Sequence, residues 1–172
     1  MGKKIERRVQ RRADLLGGRG FACVALDRPS DPVNVGHVLR AALCFQARMI
    51  IMGQASEDID IRRLPTDPTR AYRHVPVLEV DDLLEAAPRD ADLVAVEIVP
   101  EAVALPGFTH PERACYVFGP ESGSISDGIL ARCRHRVCVP TAVSLNLGMT
   151  VGLVLYDRLA DRWRKAAVNE VG

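Results

Sequence analysis

The stretch FGPESGSIS, residues 118–126, sets a single carboxylate, Glu121, among glycine, proline and small residues, directly behind the apolar Ala114, Tyr116, Val117 and Phe118. Strands that stop on glycine often have a ligand waiting at their carboxyl end, and Gly119 would let that ligand approach the main chain closely. Two other stretches place polar side chains at element junctions. NVGHVLR (34–40) carries Asn34, in position to cap a helix, and Arg40 a turn and a half further on. Ser144 and Asn146 open the last helix, where unpaired backbone N–H groups favour electron-rich ligands. Ser144 could also serve there simply as a cap.

Several familiar chemistries lack their residues. A Rossmann nucleotide site wants G-x-G-x-x-G after the first strand, and the junction here is DRPSDPVNVG. No glycine-rich run ends in Gly-Lys-Ser/Thr, and ESGSIS does not supply the G-x-S-x-G elbow of a serine hydrolase. The four histidines are scattered and not at ligand spacing, so no metal site is expected. The five cysteines form no C-x-x-C pair and read as small buried hydrophobes of a cytoplasmic protein.

The elements that must position these residues alternate. FACVAL (21–26), RMIIM (48–52), VPVLEV (75–80), ADLVAVEIV (91–99), ACYVFG (114–119) and HRVCVP (135–140) read as strands. A helix with Asn34 as cap buries Val35, Val38, Leu39, Ala42 and Leu43; DDLLEAA and SDGILARC, the latter capped by Ser126, are short helices. Residues 144–163 form one long helix, and a loop runs from about 100 to 113. Such βαβ units predict an α/β fold, a mostly parallel sheet with helices on both faces.

The 172 residues, 48% hydrophobic and 26% charged, suit one globular domain over 1–172, with residues 1–18 as a basic helical extension. No apolar run reaches membrane-spanning length, and MGKKIERRVQRR is the reverse of a signal peptide. Net charge is only +1, yet the basic residues cluster: Lys3, Lys4, Arg7, Arg8, Arg11 and Arg12; then Arg62, Arg63, Arg70 and Arg73; then Arg132, Arg134, His135 and Arg136. Localised patches of this kind grip phosphates, or else are solvated faces.

NVGHVLR, YVFGPESG (116–123) and CVPTAVSLNLGMTVGLVLYD (138–157), in that order and each at a strand–loop–helix junction, resemble the three signature motifs of the SpoU (TrmH-type) branch of the SPOUT RNA methyltransferases. The resemblance spans about residues 21–160. It implies a C-terminal deep trefoil knot, an exception to the no-knot rule, and S-adenosyl-L-methionine as cofactor. It also implies a homodimer with its active site near the subunit interface, and methylation of a ribose 2′-hydroxyl in tRNA or rRNA. Without a separate RNA-binding domain in this sequence, the basic N-terminal segment and Arg-rich loops would hold the RNA, and the small size leans toward tRNA.

By resemblance, Asn34, Arg40, Glu121, Ser144 and Asn146 form the catalytic set. Arg40 would lie closest to the reacting ribose, as a phosphate clamp and stabiliser of the developing oxyanion. Glu121 would fix Arg40 or a partner loop rather than act as an acid. Val96, Gly119, Glu121, Val139, Ser144 and Leu145 would hold the cofactor. Two positions depart from the family pattern: ESGSI puts Gly123 one place early, and Gly148 stands where Ser or Ala is usual. Gly148 and Gly152, four apart, suggest a second helix packed closely across a dimer interface. An RNA-binding module without catalysis and a base-methylating relative on the same fold are the alternatives.

Overall fold

The computed structural model describes residues 20–169. The expected helix over 3–16 lies outside these residues. Seven parallel strands form one sheet in the order β3-β2-β1-β6-β4-β7-β5. They are β1 (Phe21–Asp27), β2 (Ile50–Gly53), β3 (Val77–Val80), β4 (Asp92–Val96), β5 (Val103–Ala104), β6 (Arg113–Phe118) and β7 (His135–Cys138). Among the described residues four α-helices accompany them: α1 (Pro32–Cys44), α2 (Leu83–Ala86), α3 (Asp127–Leu130) and α4 (Leu147–Asn169).

Strand alternation sorts the core into two layers. Val24 and Leu26 of β1, with Tyr116 and Phe118 beside them on β6, face α1 and α4. There Val35, Val38, Leu39, Val151, Val154 and Leu155 are buried. At about 1.5–3 kcal/mol for each buried Val, Leu or Phe side chain, this layer dominates stability. Cys23, Ala25, Cys115 and Val117 point the other way, onto Leu83 of α2 and the half-buried Ile129 and Leu130 of α3. Helices therefore cover both faces, but unequally.

Helix α1 starts earlier than its apolar pattern suggests. Asp31 is the N-cap, its carboxylate accepting from Val33 N–H at 2.8 Å, and Pro32 opens the first turn. Proline suits that place because its missing N–H would be unpaired anyway and its φ is already helical. Asn34 therefore does not cap the helix. It lies inside the first turn, 6% exposed, with its side chain free to bond sideways. A close neighbour explains Gly36: the Thr66 side chain occupies the room a Cβ would need, and its hydroxyl donates to Val33 C=O at 2.6 Å. The 54–76 segment is thereby docked on the start of α1.

Midway along, α4 is fastened at the amino ends of the central strands β1 and β6. Buried Arg158 donates to the carbonyls of Phe21, Pro111 and Glu112, and His110 bridges Tyr116 and Asp157. No helix among the described residues is long and apolar enough to cross a membrane.

Candidate active site

A cleft of about 350 Å³ opens at the carboxyl ends of β4, β6 and β7, against the first turn of α4. Asn34, Glu121, Ser144 and Asn146 line it. So do Val96, Gly119, Val139 and Leu145. Three segments spread over more than a hundred residues of sequence thus meet in one concavity.

Hydrogen bonds join them. Asn146 Nδ2 donates to Asn34 Oδ1 at 2.6 Å, and Asn34 Nδ2 donates to Glu121 Oε1 at 3.4 Å. Glu121 also accepts from the Ser30 amide (3.2 Å), the Ser30 hydroxyl (2.9 Å) and the Asp31 amide (3.2 Å). Its carboxylate therefore ties the loop after β6 to the β1–α1 junction. Partial burial works against the charge of Glu121, but hydrogen bonds from its own backbone and from Ser30 and Asp31 outweigh it, and the pKa falls below the ordinary glutamate value. Such a group stays ionised and orients its neighbours.

Asn146 also caps α4, its Oδ1 accepting from Met149 N–H at 3.3 Å. Ser144 does not open the helix: α4 begins at Leu147, and Ser144 is exposed in the preceding loop. The capping place went to the amide three residues before Met149, where the geometry of an N-cap puts it.

Two carboxylates that the sequence reading passed over hold the unusual ESGSI loop. Glu97, just past β4 and lining the cleft, accepts from Ile125 N–H at 3.0 Å and Ile98 N–H at 2.9 Å. Asp27, the last residue of β1 and 5% exposed, accepts from Ser126 N–H at 2.8 Å. Arg28 pairs with Asp27 at 3.3 Å and donates to Ser124 C=O at 3.2 Å. An acidic residue closing an apolar strand is the signal that marks both. The same loop corrects the expected reason for Gly119. The backbone of Ser124 and Ile125 comes within 3.1 and 2.8 Å of where its Cβ would be, so the glycine admits the protein's own chain there.

Arg40 is not among the residues lining the cleft, and its side chain is exposed. Six residues separate it from Asn34, which turns it about 120° around α1. The glycines of α4 also differ from expectation. His37 of α1 fills the room beside Gly148, so the close helix belongs to the same chain, and nothing stands within 4 Å of a Cβ at Gly152. The third basic cluster is partly occupied, since Arg134 and His135 both reach Asp92, at 3.2 and 3.4 Å. Arg62, Arg70 and Arg73 are exposed on the 54–76 segment, and Arg63 pairs with Asp60.

Chemically, the cleft joins apolar walls from Val96, Phe118 and Leu147 to hydroxyls of Thr141, Ser144 and Thr150. That mix and volume fit a nucleoside-sized ligand. Among the described residues no three His, Cys, Asp or Glu side chains group as a metal site.

Comparison with known proteins settles the kinship. The SpoU rRNA Methylase family matches residues 22–156, most of the chain. The chain belongs to this family. An uncharacterized tRNA/rRNA methyltransferase of Synechocystis sp. is 26% identical over 152 residues, covering 81% of this chain and 53% of that protein. The SpoU methyltransferase AviRb from Streptomyces viridochromogenes, solved in complex with the cofactor AdoMet, superposes with a TM-score of 0.72 at 24% identity, covering 88% of this chain and 64% of that one. A protein whose structure addresses 2-OH methylation of C/U34 on tRNA gives a TM-score of 0.64 at 24% identity, covering 87% and 95%. The SpoU-type chain described here spans about half the length of the curated relative it matches.

Proposed function

We propose that this SpoU-type chain is an S-adenosyl-L-methionine-dependent RNA methyltransferase that methylates a ribose 2′-hydroxyl, with tRNA as its substrate. The observation that carries the reading is the hydrogen-bonded line from Asn146 through Asn34 to Glu121, which draws three motifs into one cleft. The neighbour concerned with 2-OH methylation of tRNA, nearly the same length as this chain, supports both the position and the RNA.

When bound, the cofactor supplies an electrophilic methyl group on a sulfonium. Val96, Val139 and Leu145 would flank its adenosine, with Ser144 and backbone near Gly119 and Glu121 offering polar contacts. Asn34 and Asn146 hold the site's shape, and Glu121 fixes the loop. Arg40 would meet the RNA from the outer side of α1, clamping a phosphate and stabilising the developing oxyanion. The basic residues between Lys3 and Arg12 and the exposed Arg62, Arg70 and Arg73 would hold the backbone electrostatically.

Two further features belong to this reading. Strand β7 lies beyond β4, yet α4 packs back onto α1, so residues 139–146 recross the sheet beside the pinned 119–126 loop. That course supports a C-terminal knot. Met149, Leu153 and Tyr156 recur on one side of α4 at 59%, 42% and 52% exposure, a stripe suited to a second copy of the chain. With Arg40 outside its own chain's cleft, a homodimer would let it serve at the subunit interface. The RNA substrate and five unpaired cysteines favour a cytoplasmic setting.

The test is mass spectrometry of nucleosides from RNA of a deletion strain before and after incubation with purified protein and cofactor. A new 2′-O-methylnucleoside is expected. A base-methylated product, or none, overturns the proposal.

A further inference from the structure

We propose that Glu97, together with Glu121, makes the cleft select the sulfonium form of the cofactor over its demethylated thioether product, an inference that rests on the function proposed above. These two glutamates are the charged side chains lining the cleft, and no Lys, Arg or His of the described residues lines it. Neither carboxylate has an ion-pair partner among the described residues. Arg28, paired with Asp27, and Arg136, opposite Ala95 on β7, stand outside the lining.

Both charges are built into the fold. Glu97 directly follows β4, and its N–H donates to Val137 C=O at 3.0 Å, which prolongs the pairing with β7. Its two oxygens accept from Ile98 N–H at 2.9 Å and Ile125 N–H at 3.0 Å, and Oε2 lies 3.5 Å from where a Gly119 Cβ would stand. Glu121 is held by the hydroxyl and amide of Ser30, the backbone amide of Asp31 and the side chain of Asn34. All of these donors are neutral, so they fix each carboxylate in place without cancelling its charge. The amino end of α4 sets only a partial positive charge against them.

S-adenosyl-L-methionine and its thioether product share the adenosine, ammonium and carboxylate groups. They differ by one methyl group and by the positive charge on sulfur. Contacts to the shared groups do not separate the two, whereas an electrostatic field does. A cleft of about 350 Å³ is roughly 9 Å across, so a ligand inside it lies within about one Debye length of both carboxylates wherever its sulfur falls. At that range Coulomb attraction is worth about threefold or more in affinity for each carboxylate. The attraction ends when the methyl group is gone, so turnover itself loosens what remains in the cleft.

The experiment is calorimetry of the full chain with three ligands: S-adenosyl-L-methionine, S-adenosylhomocysteine, and sinefungin, an unreactive analogue with a protonated amine where the cofactor has its methyl group. Wild type, Glu97→Gln and Glu97→Asp are titrated at about 25 and about 500 mM NaCl. Wild type should bind both cationic ligands at least about tenfold more tightly than the thioether at low salt, with a smaller ratio at high salt. Glu97→Gln should cut that ratio at least about threefold while keeping its affinity for the thioether within about twofold. Glu97→Asp retains the charge and should retain most of the ratio. Equal affinities of wild type for cations and thioether overturn the proposal, and this comparison decides it even where Glu97→Gln does not fold. So does a ratio unchanged in Glu97→Gln, or a loss shared equally by all three ligands, which would make Glu97 a support for the loop and nothing more. A wild type that binds none of the three overturns the parent reading and this one with it.

Discussion

Asn146 donates to Asn34 at 2.6 Å, across 112 residues of sequence, and Asn34 in turn donates to Glu121. The first turn of α1, the loop after β6 and the start of α4 are therefore one hydrogen-bonded unit. Because Asn34 is buried, removing its amide strands its neighbours.

Asn34→Ala should cost about 1–3 kcal/mol, the range for leaving buried polar partners unsatisfied, and should weaken cofactor binding. With Asn146→Ala it should be non-additive, with a coupling of about 0.5–3 kcal/mol. Denaturant titration of the double-mutant cycle measures this. Additive losses would show the contact to be energetically idle.

Glu121 gives a pH dependence of definite sign. Its folded pKa lies below the unfolded value near ~4.3, so the unfolded chain binds the proton more readily. The stabilisation is complete above the unfolded pKa and is lost as pH falls through the folded one. Glu121→Gln should thus melt lower than wild type at pH 7, with the gap narrowing as the solution is acidified below pH 4. A gap that stays constant would mean the charge plays no part.

Gly148→Ala drives a methyl group into His37 of the packed α1. Overpacking of this kind costs about 1–3 kcal/mol. Gly152→Ala meets nothing and should gain up to about 1 kcal/mol from helix propensity. Thermal melts of the two variants should move in opposite directions.

Arg40→Ala should abolish methylation while leaving the fold and cofactor affinity intact, because its side chain is exposed and contributes nothing to the cleft wall. Calorimetry beside an RNA methylation assay separates the two effects. Retained activity removes Arg40 from the mechanism.

How much of this could be read from residues alone follows from what each signal depends on. Apolar runs such as ACYVF mark strands because both faces of a parallel sheet are buried, and six of the seven strands were legible. The seventh, Val103–Ala104, has two exposed residues and takes its place only by pairing with β7. Eight of the expected site residues converge on one cleft because motif spacing reflects strand–helix junctions. What stayed hidden depends on tertiary neighbours. Asp31 displaced Asn34 as cap once Pro32 set the first turn. Glu97 and Asp27 acquire a purpose only when the 121–126 loop folds over them. Likewise Gly119 and Gly148 make room for partners that no local pattern reveals.

The bond from Glu121 back to Ser30 and Asp31 spans some ninety positions, and the amide that completes the line sits at residue 146. A copy of this chain cut short during translation before that point lacks the final wall of its own cleft, however well its sheet has formed. The cleft is therefore closed only after all seven strands of the described sheet have been made.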